Sequence, residues 1–260
     1  MKVVVLMKQV ASKDAILRLN QEGTWVDEKD IAHEVNESDA YALEEALRLK
    51  EKHGGEVVVC SMGPQRVKTT IKDALARGAD RAIHIAGDNL GHLSPYQAAS
   101  VLAEAMRSEP DAAPDLILTG LQSDDYGYAQ TGVILAELLG LPHATIVIEV
   151  DLSGEQLRVK RELESGWYQW YAMSLPALLT IQSGINQIRY ASLKGIMAAK
   201  KKEIKEISPA TEALELKAFQ KVAKIYFPEK TKQTRFLGDG DAKAGAHQLA
   251  EALRSEARLI

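Results

Sequence analysis

The sequence holds one cysteine, few aromatic residues (5%) and no apolar run approaching the length of a membrane span. A lone thiol forms no internal disulfide, and Cys60, in the run Glu56-Val-Val-Val-Cys-Ser61, reads as an inert strand thiol in a reducing compartment. The six histidines, at 33, 53, 84, 92, 143 and 247, include no two at metal-ligand spacing, so no metal site is expected. A formal net charge of −4 leaves no basic excess for general nucleic-acid binding. The first strand begins at Lys2, which leaves no room for a signal peptide, and direct membrane insertion is not expected. Neither GxGxxG nor GxxxxGK[ST] occurs, so the dinucleotide fingerprint and the phosphate-transfer loop are both unsupported.

What is present is an alternation. With 260 residues, 46% of them hydrophobic, the chain can bury a real core. Lys2 to Met7 is a continuous apolar run suited to a strand covered on both faces, and Lys8 to Asp14 reads as a polar turn at its carboxyl end. Ile16 to Val26 resembles a small hairpin excursion. A helix starts at Asn36-Glu-Ser-Asp39, where Asn36 or Ser38 can cap it, and ends at Gly54-Gly55. Strands at Val57 to Ser61, Arg81 to Ile85 and Asp115 to Thr119 then alternate with helices at Gln65 to Arg77 and Pro95 to Arg107. Strands separated by helices of this length predict a doubly wound parallel sheet.

The stretch Asp115 to Gly132 reads as buried strand, polar glycine-punctuated loop, then helix. Its connection, thirteen residues from Gly120 to Gly132, exceeds the usual two to six, and long loops are more often functional. A helix N-terminus near Ala129 to Thr131 suits an anion, because its first N–H groups lack intrahelical partners. The alternative is an ordinary polar connection that binds nothing. Past Gly140, strand-like segments at Ala144 to Val150, Leu157 to Leu163, Gln169 to Ser174 and Ala177 to Gln182, with turns at Ser153-Gly154 and Ser165-Gly166, predict an antiparallel extension. Trp167, Tyr168, Trp170 and Tyr171 crowd one hairpin and are assigned to packing, with a subunit interface as the alternative. Leu193, Ile196 and Met197 recur at helical spacing before Lys200-Lys201-Lys202. That pattern is either a helix closing the domain or an apolar knob rimmed by cations for an acidic partner surface. Beyond Ile204 the chain is rich in lysine and glutamate, with a strand expected at Lys221 to Pro228, an exposed loop at Glu229 to Asp241 and a terminal helix at Ala242 to Arg254.

A family resemblance now emerges. Val159-Lys-Arg-Glu-Leu-Glu-Ser-Gly166, Leu175-Pro-Ala-Leu-Leu-Thr180 and Asn186-Gln-Ile-Arg-Tyr-Ala-Ser-Leu-Lys-Gly-Ile-Met-Ala-Ala-Lys-Lys-Lys202 closely resemble the β subunit of electron transfer flavoprotein. Val5-Leu-Met-Lys8, Asn36, Leu43-Glu-Glu-Ala46, Ser61-Met-Gly-Pro64, Gly78-Ala-Asp-Arg81 and Gln130-Thr-Gly132 fall in the family's order, so the resemblance covers roughly residues 1 to 206. It implies an α/β fold of the adenine-nucleotide α-hydrolase-like kind over 1–206, with an extended tail over 207–260 packed on an α subunit. It implies a heterodimer in which the α subunit holds most of one FAD while this chain binds AMP, and in which this chain has no catalytic residues. Carried over by motif, the AMP pocket involves Leu6, Asn36, Glu37, Ser38, Asp39, Met62, Gly120, Leu121, Gln122, Ser123, Asp124, Asp125, Tyr126, Gly127, Tyr128, Ala129, Gln130 and Thr131. N–H groups near Gln130 and Thr131 would take the phosphate, and Asp124 or Asp125 would bind ribose or backbone. Docking to flavin-dependent dehydrogenases maps onto Ala191 to Lys202, with Leu193 as anchor and Ile196, Met197, Lys200, Lys201 and Lys202 around it. Electrons would pass on to a quinone oxidoreductase, in the cytoplasm of a bacterium or a mitochondrial matrix. The sequence departs from the family at Ser165, at Tyr171 and at Lys194-Gly195, which replaces the Pro-Asn of the mitochondrial type. Two alternatives stand beside this reading: a bifurcating branch with a second FAD in place of AMP, against which Thr131 speaks, and an ATP-pyrophosphatase-like nucleotide enzyme.

Overall fold

The computed structural model describes residues 1–88, 90–108, 114–154, 156–209, 211–220, 222–229 and 234–260. In chain order its elements are β1 (Lys2–Leu6), β2 (Gln9–Ala11), β3 (His33–Val35), α1 (Glu37–His53), β4 (Glu56–Gly63), α2 (Lys68–Arg77), β5 (Arg81–Ala86), α3 (Pro95–Arg107), β6 (Leu116–Gly120), α4 (Thr131–Leu139), β7 (His143–Ser153), β8 (Gln156–Glu162), β9 (Tyr168–Ser174), β10 (Ala177–Ile181), α5 (Leu193–Ala199), β11 (Ile204–Ile207), α6 (Thr211–Leu214) and α7 (Ala242–Ser255). Among the described residues the main sheet has nine strands in the order β11-β5-β4-β1-β6-β10-β7-β8-β9.

The valines of β1 explain the layering. Val3 and Val5 join a core that also holds Leu43 and Ala46 of α1 and Ile71 and Leu75 of α2, while Val4 and Leu6 join a second core with Leu102 of α3 and Leu135 of α4. Successive strand side chains point to opposite faces, so a run apolar at every position is stable only with helices on both sides. From β1 the chain winds through β4 to β5 and then returns to place β6 on the other flank of β1. The strand order therefore reverses at β1, and the crevice beyond the carboxyl ends of β1 and β6 is where open α/β sheets take ligands.

Several elements differ from the sequence reading. Ala177–Ile181 is not part of the antiparallel extension: β10 lies between β6 and β7, parallel to both, with all five residues buried. A strand apolar on both faces fits only the covered middle of a sheet. The extension is β7-β8-β9, and β7 serves both sheet types, parallel to β10 at one end and antiparallel to β8 along the rest. The change occurs at a register shift next to Ile146, whose φ of 56° is unusual for a β-branched residue. Within Lys8 to Asp14, Gln9–Ala11 is not a turn but pairs with His33–Val35, closing off the crossover that contains Trp25. Beside β5, Ile204–Ile207 adds an edge strand that its charged composition conceals. The strand expected at Lys221 to Pro228 is not formed over 222–228, and Lys221 lies outside the described residues, as do 230–233 of the expected loop. The hairpin aromatics do not pack inward: Trp167 is 73% exposed, and Tyr168 and Trp170 are exposed on the outer face of edge strand β9, leaving only Tyr171 against the core.

Candidate functional site

A cavity occupies the crevice at the switch point. It is lined by the end of β1 and the residue after it (Leu6, Met7), by the end of β4 (Cys60 to Gly63), by the loop after β6, and by an apolar group of Leu90, Leu93 and Leu102. The loop wall is held from behind by the start of α1. Asn36, 1% exposed, sits at the N-cap position, yet its side chain does not cap the helix. Its Oδ1 accepts the Asp124 N–H (2.8 Å) and its Nδ2 donates to the Gln122 carbonyl (2.9 Å), to which the Ser38 hydroxyl also donates (2.8 Å). Asp124 in turn accepts the Glu37 N–H at 3.1 Å, which is the cap α1 receives. Asp39 clasps the two central strands, accepting the Lys8 N–H at 2.7 Å and the Gly120 N–H at 2.9 Å. Burial pushes its carboxyl up to about 7, although both N–H donors favour the anion. This clasp requires glycine at 120, since a Cβ there would lie 2.2 Å from Ser38 Oγ and 2.4 Å from Asp39 Oδ1.

At the far end of the loop the first turn of α4 has no side-chain cap. Ala129 precedes it with φ of 54°, and Gln130 follows in the right-handed region. Adjacent backbone units of opposite hand turn successive N–H groups toward one point, and the helix dipole adds partial positive charge there. The arrangement can take an anion, with the Thr131 hydroxyl beside it. Two cations stand at the margin and both are paired, Lys8 with Asp125 (2.7 Å) and Arg66 with Glu28 (2.9 Å).

Leu6, Asn36, Asp39, Met62, Gly120, Leu121, Gln122, Ser123, Tyr126, Tyr128, Ala129, Gln130 and Thr131 thus all line one cavity. Glu37, Ser38, Asp124, Asp125 and Gly127 do not line it. Of these, Glu37, Ser38 and Asp124 form the supporting network, Asp125 pairs with Lys8 and accepts the Tyr126 N–H, and Gly127 donates its N–H to the Ser123 carbonyl. The acidic pair of the loop therefore serves backbone and a lysine. Sequence reading missed Gln9, Arg66 and the apolar wall. Leu90 and Leu93, large apolar residues in an otherwise polar connection, were the available signal.

The second candidate region is α5. Ser192 caps it, accepting the Gly195 N–H at 3.0 Å, and Arg189 ties the preceding segment to Glu44 and Glu51 of α1. Leu193 is 83% exposed and Met197 70%, with Ile196 also in the open. Gly195 lets the helix lie against α2, because a Cβ there would come 2.2 Å from the Ala76 carbonyl oxygen. Lys200 and Lys201 are exposed. Lys202 is turned inward, donating to the Leu75 (2.9 Å) and Ala79 (2.5 Å) carbonyls at the end of α2, and burial lowers its pKa. It is a helix-end donor rather than a surface cation.

Among the described residues no helix is long and apolar enough to cross a membrane, and no cluster of three or more His, Cys, Asp or Glu could hold a metal. The electron transfer flavoprotein domain matches residues 23–212. The chain is 37% identical to "Electron transfer flavoprotein subunit beta" of Methylophilus methylotrophus over 92% of its length and 93% of the relative's. It is 34% identical to the mitochondrial β subunit of Oryza sativa subsp. japonica over the full length of both chains, and 36% identical to the Homo sapiens β subunit over 88% and 89%.

Proposed function

The chain belongs to the electron transfer flavoprotein family, as a β subunit, and from that premise we propose that its switch-point cavity holds AMP while α5 docks electron-donating dehydrogenases. The observation that carries the nucleotide assignment is the union of two chemistries in one cavity: an uncapped helix N-terminus at Thr131 and an apolar wall of Leu90, Leu93 and Leu102. A phosphate matches the first and a purine ring the second. In this reading the N–H groups near Gln130 and Thr131 bind the phosphate, the Thr131 hydroxyl donates to it, and Asn36 and Asp39 hold the loop in place through hydrogen bonds to its backbone.

FAD, held mostly by an α subunit, supplies the electron transfer when bound. This chain contributes positioning. Exposed Leu193 is the anchor for a flavin-dependent dehydrogenase, and Lys200 and Lys201 steer an acidic partner toward it. Exposed Phe219, Tyr226, Phe227 and Phe236 support the assignment of the tail beyond residue 207 to packing on the α subunit, since aromatics in the open imply a covering surface. Onward transfer goes to a quinone oxidoreductase.

The test is to purify the heterodimer with its α subunit, denature it and identify the released nucleotides. One FAD and one AMP are expected. Two FAD would replace this reading with the bifurcating one, and turnover of ATP with magnesium would replace it with a nucleotide-cleaving enzyme.

A further inference from the structure

Four aromatic side chains from three distant stretches meet at the rim of the cavity. Trp25, in the helix-free crossover between β2 and β3, stacks on Tyr126 with ring centres 4.7 Å apart and planes 19° apart. Tyr126 also stacks on Tyr128, at 5.4 Å and 19°. His92 stands edge-on to Trp25 at 5.2 Å, with its Nδ1 3.2 Å from the Tyr126 hydroxyl. Lys8 Nζ lies 4.7 Å from the centre of the Tyr126 ring. Tyr126 and Tyr128 line the cavity; Trp25 and His92 do not, and each contacts Tyr126.

Trp25 has no role in either hydrophobic core. It sits among Asn20, Gln21, Glu22, Thr24 and Asp27, on a segment whose described link to the body near its tip is otherwise the Glu28–Arg66 ion pair. A large aromatic in such a segment contributes its contact area where it stacks, and here that is the wall of the cavity. The stack joins the crossover, the connection around His92 and the loop after β6 across one mouth. Burial, with Asp125 adding to it, pushes the Tyr126 hydroxyl up to about 12, so it stays neutral and able to donate to His92.

We propose that Trp25, acting through Tyr126 and Tyr128, is a positioning residue that clasps a nucleoside monophosphate in the cavity, so that ligand exchanges only when Trp25 unstacks. The proposal rests on the nucleotide reading above. The test uses the heterodimer with its α subunit and isotopically labelled AMP, following release of unlabelled AMP after rapid desalting. Trp25→Ala is expected to exchange AMP about 10-fold faster than the wild type with FAD content unchanged, because it removes the aromatic pair that holds Tyr126 in place. Trp25→Phe should restore slow exchange, and the tryptophan emission change accompanying AMP release should vanish in it although Trp167 and Trp170 remain. Exchange in Trp25→Ala within twofold of the wild type, at one AMP per heterodimer, overturns the clasp and leaves the nucleotide reading standing. A wild-type heterodimer that yields no AMP on denaturation overturns the nucleotide reading itself. Should Trp25→Ala not assemble, His92→Ala at its exposed position carries the same comparison, with exchange at least ~3-fold faster expected and unchanged exchange counting against the clasp.

Discussion

Gly120 and Leu193 mark two regions that treat their groups in opposite ways. Around Gly120, Asn36, Ser38, Asp39 and Asp124 spend their hydrogen-bonding capacity on backbone groups of the same chain. Around Leu193, three large apolar side chains stand in solvent on a helix of seven residues. The first region satisfies its polar groups within the chain, whereas the second leaves its apolar groups uncovered. Substitutions should therefore be read out as lost stability in one and lost association in the other.

That contrast can be broken in graded steps, ordered by the effect expected on unfolding. Gly120→Ala drives a Cβ into Ser38 and Asp39 and should destabilise by about 3 kcal/mol, measured by denaturant unfolding. Asn36→Ala leaves the Asp124 N–H and the Gln122 carbonyl short of partners at a buried position and should cost about 2 kcal/mol by the same measurement. Asp39 spreads its effect over pH. The folded protein holds its proton up to about 7, against 3.8 for the ordinary group, so between pH 4 and 7 the native state binds more protons than the unfolded one. Stability from this group is fully present below pH 4 and falls as pH rises to 7. Unfolding profiles of wild type and Asp39→Asn should therefore differ by a term that declines across that window, and a flat difference would refute the buried, proton-holding carboxyl.

The same scale separates the lysines near α5. Lys202→Met removes donors to two carbonyls at the end of α2 and should cost about 1 kcal/mol of stability, whereas Lys200→Met and Lys201→Met should leave unfolding unchanged and slow association at low salt. Leu193→Ala should likewise change unfolding little, by no more than about 0.5 kcal/mol. It should nevertheless weaken dehydrogenase docking by more than about 1 kcal/mol, seen as slower electron transfer at unchanged FAD content. A variant that unfolds more easily but transfers electrons normally would reverse the comparison.

Much of the fold was legible because parallel strands and their helices carry local signals. The β1 valines, the Ser94-Pro95 start of α3, where Ser94 and Gln97 form reciprocal caps, and the apolar period of α4 state their own structure. The misreadings share one cause, which is dependence on distant partners. Nothing in Ala177 to Ile181 says that it enters between β6 and β7, and nothing in the charged run from Ile204 says that β5 offers an open edge. Asn36 reads as a cap from its neighbours alone, but its side chain is taken by a loop 88 residues away.

By itself the sequence determined the alternation of strands and helices, the two-sided burial of the first strand, the motifs of the family and an apolar knob before three lysines, because each depends on residues within a turn or two of one another. Tertiary structure alone decided where β10 and β11 enter the sheet, that Lys202 turns inward, that Trp167, Tyr168 and Trp170 face outward and that Trp25 reaches Tyr126. Those outcomes depend on which surfaces meet when the sheet closes, and that geometry is set by the packing of the whole chain.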